Sequence, residues 1–230
     1  MFRTYYWDFI TIKYIYWKRV IKSFMIKKTT YAPVYFMSDD VESDSDTPKS
    51  SKESFSISSN QVFFYDDVAR QTIYTLNRQL DSTAKAIQLL NIHYNLPVSP
   101  AIDLFINSEG GEVFSAFSAV DRIKSSPVPV HSYVEGFCAS AATLLSVCAH
   151  KRYIRKNGFM LIHQVRSGLW GSFAEFQDEI HNLEMIMRYI KQIYLEHTKI
   201  PENDLVEILK HDTYLNAEEC IKYGLVDEIR

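Results

Sequence analysis

Short apolar runs alternate with longer amphipathic segments from Gln61 to the end of the chain. The runs are rich in β-branched and aromatic residues and predict strands at 61–65, 101–107, 128–134, 151–155 and 159–164. Because helical patterns separate most of these strands, the chain is predicted to be an α/β protein with largely parallel strand pairing.

Helices are predicted between the strands from the spacing of their apolar residues. The first has one apolar face, formed by Val68, Ile73, Leu76, Leu80, Ala84 and Ile87. Others are predicted to end near Ser125, to run from about Ser140 to Ala149, and to cover residues 216–224. In that last helix, Asn216 stands at the N-cap and Gly224 marks the end.

One long helix is predicted from Ser172 to about His197. Ser172 and Glu175 have the spacing of a capping box. Apolar residues then recur in steps of three and four, at Phe173, Phe176, Ile180, Leu183, Met187, Ile190 and Tyr194. This period of about 3.5 residues is typical of a seam between two helices. Ordinary core packing stays open as the alternative, because further apolar residues flank the seam.

The first 60 residues differ from the rest. Residues 1–28 hold seven Lys or Arg among aromatic residues, without an apolar run long enough for a membrane span or signal peptide. Residues 38–60 are rich in Ser and Asp and predict a disordered linker. The folded domain is therefore expected at 61–230. Three interpretations of the N-terminal segment stay open: a propeptide, a membrane-touching arm, or an extension upstream of a start at Met25 or Met37.

Composition narrows the function classes. The chain has 230 residues, 47% of them hydrophobic, which suits one globular domain with a tail. Its net charge of −3 does not point to nucleic acid, and a membrane partner is not expected. The three cysteines form no CxxC pair, which favours a reduced, cytoplasmic setting. No HExxH or GxxxxGK[ST] motif occurs, so neither a metal nor a nucleotide cofactor is expected.

Four features carry candidate chemistry, although each alone has an ordinary structural explanation. The turn "NSEGG" could present backbone N–H groups to a ligand. Ser140 lies between a predicted strand and helix, as in a nucleophile elbow, but without the GxSxG pattern. His163 ends an apolar strand, and Asp212 precedes the last helix. A serine nucleophile needs such a base and carboxylate. Other histidines compete for the role of base, namely His131, His150 and His211.

Taken together, five separated motifs resemble the Clp protease proteolytic subunit, ClpP, from about Gln61 to the C-terminus. In chain order they are "INSEGG", "EGFCASAA", "LIHQ", "DTYLNAEE" and "YGLVD". The resemblance implies a ClpP/crotonase-like spiral of β/α units with a protruding handle helix, which falls on the long helix from Ser172. It also implies that the strand after the catalytic histidine, around 167–172, lines the substrate groove.

Site residues follow from the same resemblance. It implies Ser140 as nucleophile, His163 as general base and Asp212 as orienting acid, with oxyanion N–H groups from Gly111 and Ala141. The implied function is a serine endopeptidase acting on peptides and unfolded proteins. Homo-oligomeric heptamer rings, tetradecamers and a separate AAA+ Clp ATPase unfoldase are the implied partners.

The sequence departs from the family pattern around the expected site. Glu109 replaces a proline of the Gly-Gly turn, and Val165 stands where proline often follows "HQ". Phe137 and Cys138 replace smaller or polar residues and are expected to influence what is cleaved. The alternatives are a phage-type capsid or scaffold-processing peptidase, a crotonase-type acyl-CoA hydratase, and a catalytically weak structural ring subunit. The complete Ser-His-Asp set argues against the hydratase.

Overall fold

The computed structural model describes residues 60–230, which form one seven-stranded sheet and six helices. The strands are β1 (Gln61–Phe64), β2 (Ile102–Ser108), β3 (Val130–Ala139), β4 (Lys151–Ile154), β5 (Phe159–Leu161), β6 (Leu215–Asn216) and β7 (Glu228–Ile229). The helices are α1 (Arg70–Tyr94), α2 (Val113–Lys124), α3 (Ala141–Val147), α4 (Phe173–His197), α5 (Glu202–Leu209) and α6 (Ala217–Lys222). The predictions for residues 1–59, a basic aromatic segment and a disordered linker, lie outside the described residues.

The sheet confirms the predicted α/β class with parallel pairing. Its main order is β1-β2-β3-β4-β7, and all of these neighbours are parallel. Strand β3 is longer than predicted and continues past Val134 to Ala139. The extension is stable because its last residues find a second partner, with Phe137 opposite Phe159 of β5. Strand β5 in turn pairs antiparallel with β6.

Helix α1 buries the predicted apolar face against the sheet. Ile73, Leu76, Leu80, Ala84 and Ile87 are all buried. The prediction was wrong for the sixth residue, Val68, which precedes the helix. Its N–H donates to the Gly110 carbonyl at 2.7 Å, and its carbonyl accepts from the Glu112 N–H at 2.7 Å. The two bonds hold the Gly-Gly turn beside the start of α1.

Most of the core lies between the sheet and its helices, but the opposite face carries a row of aromatic rings. Phe105, Tyr133 and Tyr153 form a small separate cluster at corresponding positions of β2, β3 and β4. Their neighbouring ring centroids are 4.8 and 4.7 Å apart. Strands β2 to β4 are therefore covered by apolar side chains on both faces.

Helix α4 confirms the predicted capping box, and its two halves differ. The Glu175 N–H donates to Ser172 Oγ, and the Ser172 N–H donates to the Glu175 carboxylate. Ile190 and Tyr194, near its C-terminal end, are buried in the core. In the N-terminal half, Phe173 is 77% and Ile180 57% exposed. Core packing therefore accounts for one end of the apolar seam, and no element of residues 60–230 covers the other end.

Further parts of the chain differ from the prediction, and the short strands β6 and β7 were not predicted. Helix α5 was not predicted, although its buried residues Leu205 and Leu209 have the i, i+4 spacing of a helix face. The expected groove strand around 167–172 is absent, and this segment has no regular structure. No strand within residues 60–230 pairs with it, and its Trp170 side chain is 99% exposed. In the part of the chain that is described, no helix has the length and apolarity that a bilayer crossing needs.

Candidate active site

Ser140 occupies a strained turn between β3 and α3. Its φ of 54° and ψ of −129° lie in a region that non-glycine residues rarely adopt. The Ser140 N–H donates to the Leu161 carbonyl at 2.7 Å, which fastens the turn to the end of β5. The Ser140 carbonyl accepts from the Thr143 N–H at 3.1 Å. A strand, a strained serine and a helix in this order form the geometry of a nucleophile elbow.

The Gly-Gly turn packs directly against Ser140. Gly110 has a φ of 95°, and a Cβ there would lie 2.6 Å from the Ala139 carbonyl oxygen and 2.7 Å from the Ser140 Cβ. A side chain at this position would therefore displace the serine. The backbone N–H groups of Gly111 and Ala141 donate to no acceptor within residues 60–230. Both stay available to a ligand.

His163 follows β5 by two residues, and its ring is hydrogen-bonded to the carbonyl of the next residue, Gln164. Its Nδ1 lies 2.6 Å from the Gln164 carbonyl oxygen. Because a carbonyl oxygen only accepts hydrogen bonds, Nδ1 carries the proton in this arrangement. The Nε2 atom then has a free lone pair, as a general base requires.

Asp212 lies in the loop between α5 and β6, which two contacts place beside β5. Strand β6 pairs with β5, and the Gln164 N–H donates to the Leu209 carbonyl at 2.7 Å. The Asp212 carboxylate is paired with the Arg166 guanidinium. Hydrogen bonds between Ser140, His163 and Asp212 are not formed in this structure.

All three side chains face one open region made of two adjoining cavities. The larger, about 400 Å³, is lined by Gly111 and Ala141, and the smaller, about 280 Å³, by Asp212. Four residues line both cavities: Glu109, Ser140, His163 and Arg166. The structure therefore brings the five residues named from the sequence to one place, although the hydrogen bonds of a catalytic triad are missing.

Sequence comparison supplies the family. The profile described as "Clp protease" matches residues 58–230, well over half of the chain. This chain belongs to the Clp protease family. The "ATP-dependent Clp protease proteolytic subunit 2" of Treponema denticola is 30% identical over 67% of this chain and 77% of its own length. The "ATP-dependent Clp protease proteolytic subunit 3" of Streptomyces coelicolor is 32% identical over 69% of this chain and 75% of its own length.

Membership in the Clp protease family implies peptidase activity. None of the three competing histidines lines the two cavities. His150 accepts a hydrogen bond from the Val130 N–H at 3.1 Å, and His131 lies 3.9 Å from the Asp103 carboxylate. Within residues 60–230, no three His, Cys, Asp or Glu side chains are grouped so that they could hold a metal ion.

Several residues that sequence reasoning missed or misplaced also shape this Clp protease site. Arg166 was not singled out, because a charged residue in a glycine-rich loop usually faces solvent. Phe137 and Tyr214 pack edge to face at 5.4 Å and line the smaller cavity. Cys138 was expected to influence cleavage, but it lines neither cavity. It is fully buried, because successive side chains of β3 point to opposite faces of the sheet.

Proposed function

We propose that this chain is a serine endopeptidase with Ser140 as nucleophile, His163 as general base and Asp212 as orienting acid. The observation that carries the proposal is the Ser140 turn. A strained serine, a free Nε2 lone pair and two unused N–H groups, at Gly111 and Ala141, border the same cavity. Acyl transfer needs such a combination of nucleophile, base and oxyanion donors.

In the proposed mechanism, Ser140 Oγ attacks the carbonyl carbon of the scissile peptide while His163 Nε2 takes its proton. The oxyanion is stabilised by the Gly111 and Ala141 N–H groups. His163 then protonates the leaving amine, and an acyl-enzyme ester remains on Ser140. A water molecule deprotonated by His163 attacks this ester, which releases the acid and restores the serine.

Asp212 takes part in this mechanism only after it leaves Arg166. The carboxylate would then accept from His163 Nδ1 in place of the Gln164 carbonyl and stabilise the imidazolium that forms. The Arg166 and Asp212 side chains are 67% and 53% exposed, so their attraction is screened and weak. We propose that rotation of these exposed side chains brings about the change.

Oligomeric assembly with Clp ATPases is general for this family, and we propose that the chain forms homo-oligomeric heptamer rings that pair into tetradecamers. The exposed apolar half of α4 supports this, since Phe173, Phe176 and Ile180 lie on one side of the helix with no cover within residues 60–230. An AAA+ Clp ATPase would supply unfolded substrates. A cytoplasmic location and the role of residues 1–60 ahead of the domain stay predictions.

The proposal is tested by hydrolysis of a fluorogenic peptide with the full chain as an assembled oligomer. Replacement of Ser140 by Ala is expected to lower kcat by roughly 10⁶-fold. Ser146 of α3 lines neither cavity, and the Ser132 hydroxyl that contacts its side chain also donates to its carbonyl, so Ser146→Ala is a control that is expected to keep the activity. Equal rates for the wild type and Ser140→Ala would leave a structural ring subunit as the function. Cleavage of folded protein substrates that never depends on an ATPase would favour the processing peptidase.

A further inference from the structure

Two buried hydroxyl groups connect helix α4 to the peptide that follows Ser140. Thr143 Oγ1 donates to the Ser140 carbonyl oxygen at 2.6 Å, and the Tyr194 hydroxyl lies 2.5 Å from Thr143 Oγ1. Thr143 is fully buried and Tyr194 is 2% exposed. The three groups form a continuous chain of hydrogen bonds inside the protein.

The Ser140 carbonyl decides which group donates and which accepts in these hydrogen bonds. A carbonyl oxygen only accepts, so Thr143 uses its one hydroxyl proton for Ser140 and must accept from Tyr194. Burial raises the pKa of the Tyr194 hydroxyl, which therefore keeps its proton and stays a donor. Hydrogen bonds that follow one another in this way strengthen each other in a low-dielectric interior.

The held carbonyl shares its peptide plane with the proposed oxyanion donor. The Ser140 C=O and the Ala141 N–H belong to one planar trans peptide, and they point in opposite directions. A group that fixes the carbonyl therefore also fixes the direction of the N–H. The φ of 54° at Ser140 holds the turn against its own conformational preference, and the Thr143 hydroxyl adds a restraint to the bond that the Thr143 N–H makes to the same carbonyl.

We propose that Thr143 and Tyr194 are positioning residues that hold the Ser140–Ala141 peptide so that the Ala141 N–H faces the oxyanion. The inference rests on the proposed function and deepens it. In this account the buried C-terminal part of α4 positions the reaction centre, whereas the exposed apolar N-terminal half of the same helix serves assembly. Thr143 lines neither cavity and Tyr194 borders the larger one, and in this account both act through the peptide.

The test uses four variants of the full chain: Thr143→Val, Thr143→Ser, Tyr194→Phe and the double variant Thr143→Val/Tyr194→Phe. Thr143→Val keeps the shape of the side chain and removes its hydroxyl. It is expected to lower kcat about tenfold with little change in KM, because the oxyanion donor is loosened but not removed. Thr143→Ser is expected to restore kcat, and Tyr194→Phe to lower it less than Thr143→Val does.

The double variant separates positioning from stability. Thr143→Val leaves the buried Tyr194 hydroxyl without an acceptor and destabilises the fold, whereas the double variant removes both hydroxyl groups. The urea midpoint is therefore expected to recover in the double variant while kcat stays low. Recovery of kcat together with the midpoint would overturn the inference.

A second readout uses a peptide boronic acid, whose serine adduct carries a negative oxygen in the oxyanion position. Thr143→Val is expected to weaken its inhibition about tenfold, as for kcat. Different outcomes contradict this inference and the proposed function. If the wild type is active and Ser140→Ala inactive, but Thr143→Val matches the wild type, only this inference is wrong. If Ser140→Ala keeps the wild-type rate, the proposed function is wrong as well.

Discussion

The carboxylate of Asp212 is bound by the guanidinium of Arg166 and not by the ring of His163. Arg166 and His163 therefore compete for this carboxylate, because a catalytic triad needs it beside the histidine. Both partners are more than half exposed, and ion pairs of this kind contribute about 0.2–1 kcal/mol. Arg166 therefore restrains Asp212 only weakly, and the restraint is expected to appear as a small and measurable loss of rate.

Replacing Arg166 by Gln is expected to raise kcat by up to about fivefold, because 1 kcal/mol corresponds to about that factor in an equilibrium. Steady-state hydrolysis of a fluorogenic peptide by the assembled protein measures the change. Arg188→Gln, at an exposed position of α4, is the control and leaves the rate unaltered. A large loss of activity in Arg166→Gln would show that Arg166 supports catalysis and does not oppose it.

Gly110→Ala is expected to displace Ser140 and to abolish most of the activity. The added Cβ would lie 2.6 Å from the Ala139 carbonyl oxygen, and a φ of 95° is strained for alanine. We expect a destabilisation of about 1–3 kcal/mol from the backbone conformation, before the steric clash is added. Urea unfolding and peptide hydrolysis measure the two effects.

The matched control for Gly110→Ala is Gly168→Ala, because a Cβ at Gly168 meets no atom within 4 Å. This variant is expected to keep both stability and activity. Equal behaviour of the two variants would contradict the close packing of the Gly-Gly turn against the nucleophile.

The fold could be predicted from the sequence wherever a single chain buries its own apolar pattern. The buried face of α1 and the cap at Ser172 follow from local spacing and were predicted correctly. The extension of β3 to Ala139 could not be predicted, because its partner β5 lies some twenty residues away in the chain. Local patterns contain no information about such a partner.

The site was harder to predict than the fold, because its chemistry depends on side chains from distant segments. The positions of Ser140, His163 and Asp212 were named from motifs in a fixed order, and the structure brings them to one region. The pairing of Arg166 with Asp212 could not be predicted. It depends on which of two neighbouring groups an exposed carboxylate meets, and no spacing rule governs that choice.

Ile180→Glu is expected to disrupt pairing between rings, since it places a charge in the exposed apolar half of α4. Ile180 is 57% exposed in the single chain, so the substitution should leave its folding intact. Analytical ultracentrifugation is expected to show a shift from the largest assembly to a smaller one. Gln177→Glu adds a charge at an exposed position of the same helix as the control. An unchanged assembly in Ile180→Glu would exclude this face from the interface.

Stability is expected to fall on mild acidification because of His197 at the end of α4. Burial, followed by the nearby Lys124 and Arg152 charges, lowers the pKa of His197 in the folded protein. The unfolded chain therefore binds more protons, and stability is lost as the pH falls through the unfolded value of about 6.5.

Urea midpoints measured from about pH 7.5 to about pH 5.5 test this dependence. His197→Gln is expected to reduce the slope of the midpoint against pH in that range. His181→Gln, at an exposed position of the same helix, serves as the control and is expected to retain the wild-type slope. A slope that His197→Gln does not alter would assign the effect to other groups.

The most direct test of the account is the site of covalent reaction with a fluorophosphonate. The assembled full-length protein is treated with the reagent, and its intact mass and peptide map are measured by mass spectrometry. The account predicts one adduct per subunit, on Ser140, with labelling strongly slowed in His163→Ala and absent in Ser140→Ala. An assembled protein that cleaves peptides but carries the adduct on another residue, or on none, would contradict it.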